Sequence, residues 1–494
     1  MKSRLSLSAL RSPKAAWGRA VKPPRPRVAE AELPVPRAVA RRILIGLMLP
    51  AMLMPLAGSM TNVALPTIRD QFAISADMTA WVATAFTLPF MVLMPVYGRL
   101  SDGVGKRRLI LAGLLLFALG TMMTLLATNL SWIMIGRVIQ GIGSAGIMPL
   151  SIAFVTAVFH PQERGEALGV WSSVGPMVGF LAPLGAGLVV EQWGWRASFA
   201  PPLLLTVVTI VVVAQFVPAG LSSVMPQFWR RFDWIGVLLL TAAVISFIFF
   251  VSSRPITGVA PLQDWRLLTA AVVLFTLFIR WERGRENPFV ALDLFRRSTF
   301  SRASLCASMR MITMNGGSFL LPLFLVDVYG LTPTAVGGML MIIPGAMALV
   351  VRYGGQMADR WGSRVPIVIG GVVQMITMLI LSQLPAQVSL WWIFLVLAAH
   401  GFGVGLMLAP LHHAAMHQIA DSEAGSAAGL YSMVRFAGSA VGTALIGVLL
   451  QYFLDLGLPT INAYQNAYLF LAGMALVGLI TGIGLKKTST RFIS

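Results

Sequence analysis

Three arginines stand inside runs that are otherwise almost wholly apolar: Arg137, Arg310 and Arg435. Runs of about 20 apolar residues suit helices that cross about 30 Å of hydrocarbon. A guanidinium at the centre of such a run costs about 2.5–3.5 kcal/mol on insertion scales, so it faces a bundle interior. No acid accompanies these cations at mid-span. All 18 Asp and Glu fall at the ends of apolar runs, in loops or in tails. A buried carboxylate, whose pKa burial lifts toward neutrality, is the usual carrier for proton-coupled export of cations. This chain offers none. Its cavity is therefore expected to be basic and to favour anionic, zwitterionic or neutral ligands over cations.

Other polar residues in the runs have two readings each. Asn62, Gln140 and Asn315 could hydrogen-bond a ligand or bond between helices. His400 could carry protons near neutrality or serve in packing, and so could the interfacial His412, His413 and His417. His412 and His413 are adjacent and point apart on a helix, so no metal site is assigned. The single cysteine, Cys306, lies in an apolar run and reads as an inert thiol. No nucleophile–base constellation, H-E-x-x-H or P-loop pattern is present, which argues against an enzyme and implies no cofactor. The 27 methionines suit an adaptable pocket, or simple lipid-facing filler.

The elements that position these groups follow from solvent. The chain is 57% hydrophobic and 11% charged, with a mean hydropathy of +0.80, against about 25% charged for a soluble domain. Too few charges exist to cover a soluble core of this size, so lipid must cover it, and backbone polar groups must then be satisfied within helices. The expected fold is an all-α integral membrane protein. Fourteen candidate spans lie near 43–65, 79–98, 109–128, 132–155, 167–189, 198–217, 234–252, 267–281, 304–326, 333–353, 365–383, 390–411, 426–451 and 464–485. The eighth is short, with Arg280 and Glu282 at its end.

Charge placement orients them. With both termini cytoplasmic, thirty of the 37 Lys and Arg fall in cytoplasmic segments, and only Arg69, Arg196, Arg254 and Arg266 fall outside. That is the asymmetry of the positive-inside rule. The net charge of +19 is therefore topological, and no nucleic-acid partner is expected. Residues 1–42 carry no signal-peptide core. They are basic and proline-rich and read as a disordered tail on anionic lipid.

A motif recurs. Gly98, Asp102, Gly105 and Arg107, with Lys106 between the last two, end the second span. Gly355, Asp359, Gly362 and Arg364 end the tenth at identical spacing. The chain thus divides into a six-helix bundle (43–217), a linker with an inserted pair (218–303), a second six-helix bundle (304–485) and a tail (486–494). Two pseudo-symmetric bundles with a site at their interface are a transporter signature. The glycines permit a tight turn, and the acids could pair with neighbouring Arg and Lys to latch one conformation, or simply sit in a short loop obeying the charge rule.

These repeated loops resemble the signature loop of the major facilitator superfamily, and other stretches are similar to its fourteen-span drug:proton antiporter branch. Asn62-Val63-Ala64-Leu65-Pro66 resembles the end of a first-helix motif, Trp81-Val82-Ala83-Thr84-Ala85-Phe86 the opening of the second helix, and Arg137-Val138-Ile139-Gln140-Gly141 the fourth-helix motif. Ala182-Pro183-Leu184-Gly185-Ala186-Gly187 is similar to the antiporter motif of the fifth helix, and Phe232-Asp233-Trp234-Ile235-Gly236 to the start of the inserted pair. Two departures stand out. Ala57 occupies a position where members often carry Asp, and Ala182 and Ala186 replace glycines. The resemblance implies multidrug efflux at the cell membrane by a monomer that exchanges a small, amphipathic molecule for protons. Trp81, Arg137 and Gln140 would lie on the substrate or proton pathway. An uncoupled or anion-preferring facilitator of the same fold, or a membrane sensor or non-transporting membrane enzyme, is the alternative.

Overall fold

The computed structural model describes residues 36–160, 163–218, 232–285, 290, 292–417, 419 and 423–485, excluding the side chains of residues 102, 255 and 424–426. Most of the basic tail (1–35), Arg230, Arg231 and the tail 486–494 lie outside the described residues. The first half comprises α1 (Arg37–Phe72), α2 (Ala76–Val104), α3 (Lys106–Leu125), α4 (Leu130–Ser144), α5 (Ile147–Val158), α6 (Arg164–Ala197) and α7 (Ala200–Phe216). The insert is α8 (Trp234–Val251) and α9 (Trp265–Arg283). The second half comprises α10 (Ser298–Tyr329), α11 (Pro333–Leu340), α12 (Ile342–Trp361), α13 (Arg364–Leu381), α14 (Leu390–Met416), α15 (Ala424–Asp455) and α16 (Thr460–Ile483). α4 with α5, and α11 with α12, each make one crossing. Residues 37 and 483 lie on one face, here the terminal face; the other is the distal face.

Twelve described crossings are long and apolar enough to span a membrane. The two other expected spans fall short for identifiable reasons. α7 has only 17 residues. α9 has 19 but includes Arg266, Arg280, Glu282 and Arg283.

Between helices in lipid, close packing replaces the hydrophobic drive. The α3–α4 contact shows how. A Cβ at Gly113 would overlap the Gly143 carbonyl, and one at Gly120 the Gly136 carbonyl. The two halves meet along two seams, α2 with α15 and α6 with α11 and α12. The first helices of the halves share a core only near the distal face, where Met60, Val63 and Ile68 of α1 join Phe319, Leu320 and Phe324 of α10. Toward the terminal face they part. Ile43, Leu47 and Leu53 of α1 pack within the first half. Phe300, Ala303 and Ala307 of α10 pack with the insert and the second half.

The insert lies against α2 and α15. At the distal face Trp81 Nε1 donates to Ser252 Oγ at 2.9 Å, and Arg254 pairs with Asp455 at 2.8 Å. At the terminal face buried Asp233 caps α8 by accepting from the Gly236 N–H at 3.0 Å, and it accepts from Trp281 Nε1 of α9 at 2.9 Å. Asp264 caps α9 in the connecting loop, where its bond to Arg266 at 3.1 Å holds its carboxyl below the ordinary range.

Candidate functional site

The expected polar residues resolve into separate groups. In the first half Arg137 is buried between α2, α3 and α4. Its Nε donates to the Val82 carbonyl at 3.0 Å and its Nη1 to Gln140 Oε1 at 2.7 Å. Gln140 Nε2 donates onward to Thr121 Oγ1 at 3.0 Å. The guanidinium lies 4.6 Å from the centre of the Phe86 ring. Arg137 and Gln140 thus form one chain that ties three helices together, and every partner is neutral. Trp81 spends its donor on the insert. Asn62 is half-buried and has no hydrogen bond to a described residue.

In the second half Arg310 is 3% exposed, and among the described residues its guanidinium donates only to sulfur: Met314 Sδ at 3.9 Å and Met311 Sδ at 3.6 Å. Its Nε is buried without a partner, as is that of Arg435. Arg435 lies 4.8 Å over the Phe436 ring. His400 is buried, with Nδ1 3.1 Å from Thr377 Oγ1. Asn315 donates back to the Met311 carbonyl at 3.2 Å.

The distal face is closed by contacts between the halves. Arg69, near the end of α1, makes two 2.6 Å bonds to the Asp327 carboxylate at the end of α10, and Tyr464 of α16 donates to the same carboxylate at 2.6 Å. The Ala76 N–H donates to Gln451 Oε1 at 2.8 Å and the Thr334 N–H to Glu191 at 2.9 Å. Two motif residues of the fifth crossing belong to this closure. A Cβ on Gly187 would overlap the Pro333 carbonyl, and one on Gly337 the Pro183 carbonyl. Ala182 packs toward Met48 and Ala51 of α1, whereas a Cβ at Gly185 would meet nothing. The hydrogen bonds from Arg69 to Asp327, from Ala76 to Gln451 and from Thr334 to Glu191 all join the halves at this face.

At the terminal face the repeated motif is not a loop but a break of one residue in the first copy and two, Gly362 and Ser363, in the second. Gly105 (φ 93°) separates α2 from α3, and Gly362 (φ 81°) precedes α13 in the matching position. Only a residue without Cβ enters that region freely, so helix continues up to it, and Asp102 and Asp359 stand in the last turns of their helices rather than in loops. The Asp102 side chain lies outside the described residues. Asp359 is exposed and pairs with no described residue. Arg107 donates to the Ala214 carbonyl of α7 at 2.6 Å, Arg364 is half-buried, and a Cβ at Gly98 would meet nothing within 4 Å.

A family model for the Major Facilitator Superfamily matches residues 47–443. The chain belongs to this superfamily. Its members are transporters, so this is a multi-pass membrane transporter and not an enzyme. Among relatives of this facilitator, the multidrug resistance protein Stp of Mycobacterium tuberculosis is 32% identical over 395 residues, 80% of this chain and 73% of Stp. The riboflavin transporter RibZ of Clostridioides difficile is 24% identical over 459 residues, 92% of this chain and 99% of RibZ. Among solved structures, a bacterial homologue of the human lysosomal transporter Spinster superposes with a TM-score of 0.64 at 16% identity, covering 91% of this chain and 97% of that one. The human organic anion transporter MFSD10 does so with 0.62 at 16% identity, covering 91% and 100%. These two likenesses confirm the facilitator fold.

The distal closure escaped the sequence. Arg69 and Asp327 read as charges at span ends, and nothing local pairs residues 258 positions apart. Tyr431, 5.5 Å from His412 by ring centres, was also missed.

Proposed function

We propose that this facilitator exports small amphipathic molecules from the cytoplasm across the cell membrane by alternating access, exchanging them for protons. The observation that carries this reading is the asymmetry of the two faces. Described residues of the halves bond across the distal face, while α1 and α10 part toward the terminal face. The charge asymmetry supports a cytoplasmic terminal face, so the conformation is inward-facing, ready to load from the cytoplasm. The name of Stp supports efflux as the direction. Asp359, exposed and paired with no described residue, suits a latch that engages when the cytoplasmic side closes. The Asp102 and Asp359 turns, with Gly105 and Gly362 as pivots, would then hold the outward-facing state.

Ala57, 1% exposed, removes the first-helix acid. Coupling then falls to groups that change partners during the cycle, of which Asp327 is one, because it loses Arg69 when the distal face opens. Proteoliposomes loaded with a lipophilic dye and given an imposed pH gradient test the reading. Dye flux against its gradient, abolished by an uncoupler, is expected. Flux indifferent to a pH jump would leave a transporter without proton coupling.

A further inference from the structure

We infer that Arg310 and Arg435 form the anion-binding subsite of this transporter, and that its substrates carry a carboxylate or sulfonate on an apolar body. The inference rests on the export reading and adds the substrate class. A guanidinium has five donors and no acceptor. A buried charge without a partner is costly enough that native structures pair it. Arg310 breaks that pattern: it is 3% exposed, two nitrogens face thioether sulfur, a weak acceptor, and its Nε has no partner. Arg435, half-buried, breaks it in part, with its Nε buried without a partner and one aromatic face beneath its guanidinium.

These two cations share one place. α10 and α15 run parallel in tight register, with Gly438 against Ser308 and Gly442 against Ile312. Arg310 lies within the field of Arg435, Tyr431 and Cys306, and none of these is a carboxylate. Two like charges held together in a low-dielectric interior repel, and an oxyanion between them relieves both repulsion and unsatisfied donors. The surroundings fit the rest of such a molecule. Met311 and Met314 supply a soft wall. Phe436, 5.0 Å from Phe90 of the other half, supplies an aromatic one that spans the interface. A route exists from the terminal face: His412 is exposed, stacks edge-on to Tyr431 and lies within the field of Arg435. Basic groups thus run from the exposed His412 through half-buried Arg435 to buried Arg310.

Fluorescein and rhodamine 6G share a ring system and differ in charge. Their dissociation constants are to be measured by anisotropy on the full chain in nanodiscs of neutral lipid. Wild type is expected to bind fluorescein more tightly than rhodamine 6G. Arg435→Gln and Arg310→Gln should each weaken fluorescein about ten-fold or more, since one charge-assisted bond is worth at least that. Arg435→Lys should retain most of the affinity, as should Arg352→Gln, which removes an exposed charge. Competition on unaltered protein guards against misfolded variants: naphthalene sulfonate should displace fluorescein and tetraphenylphosphonium should not. Wild type that binds no fluorescein, or binds it equally after Arg435→Gln, would overturn the inference. So would displacement by anionic lipid in mixed nanodiscs, which would assign the pair to a headgroup. The two readings separate cleanly. Arginine-dependent binding without flux sinks export and keeps the subsite; flux of rhodamine 6G indifferent to both arginines sinks the subsite and keeps export.

Discussion

Arg69 and Asp327 meet through two 2.6 Å hydrogen bonds at the distal ends of the first helix of each half, and Tyr464 completes the carboxylate's shell. Both side chains are 19% exposed, so solvent screens the pair only partly. Among the described residues it is the charge pair that joins the two halves at the distal face, and it must break for that face to open.

Arg69→Gln or Asp327→Asn should therefore shift the balance toward the outward-facing state. A charge-assisted bond of this kind is worth about 1.5–3 kcal/mol, which is on the order of ten- to a hundred-fold in the conformational equilibrium. Distances between spin labels across the distal face should lengthen in either variant. The reversed pair, Arg69→Asp with Asp327→Arg, should restore them.

Packing backs up that contact. Gly187→Val and Gly337→Val each push a side chain into backbone of the opposite half, so each should hold the distal face open and lower transport strongly while leaving thermal stability nearly unchanged. Gly120→Val pushes instead into α4 of its own half. Overpacking there should cost about 1–3 kcal/mol and lower Tm. If Gly187→Val lowers Tm as much as Gly120→Val does, the glycine serves the fold and not the closure.

Arg137 holds α2, α3 and α4 through the Val82 carbonyl and Gln140. Arg137→Leu strands Gln140 Oε1 in an apolar interior, where an unsatisfied buried group costs about 1–3 kcal/mol. The expected result is a lower Tm in detergent, with any loss of transport tracking loss of folded protein. Transport abolished at unchanged Tm would give Arg137 a direct part in the cycle.

Asp359 is exposed and pairs with no described residue. Asp359→Asn should leave the inward-facing state and membrane insertion intact but slow transport, because the outward-facing state loses its latch. Gly362→Ala forces a Cβ into positive φ at the adjoining pivot, at a cost of about 1–2 kcal/mol. Its effect should appear in stability as well as in flux. Equal transport by Asp359→Asn and wild type would refute the latch.

The fold was legible because lipid imposes it. Apolar runs and the distribution of Lys and Arg are written residue by residue, and the repeat at Asp102 and Asp359 marks equivalent turns. Where the reading slipped, local geometry overrode pattern. The expected loops collapsed to Gly105 in one copy and to Gly362 with Ser363 in the other, since one positive-φ residue suffices to turn the chain. The candidate site was legible in kind but not in grouping. Arg137, Arg310 and Arg435 look alike in sequence, yet the first is satisfied by neutral partners and the other two are not. For Arg137 the difference is set by other helices, through the Val82 carbonyl of α2 and, by way of Gln140, Thr121 of α3, whereas Arg310 meets the thioethers of Met311 and Met314 on its own helix. Arg69 with Asp327 was invisible for the same reason, because contact between the ends of two spans is set by how the halves tilt.

Alternating access itself is tested most directly by tying the distal face shut. In a Cys306→Ser background, Arg69→Cys and Asp327→Cys are to be joined by a short bifunctional thiol reagent with a reducible link, and dye flux measured in proteoliposomes before joining, after joining and after reduction. Alternating access predicts flux before joining, none while the link is intact, and recovery on reduction. Flux that continues undiminished through the linked protein would contradict it.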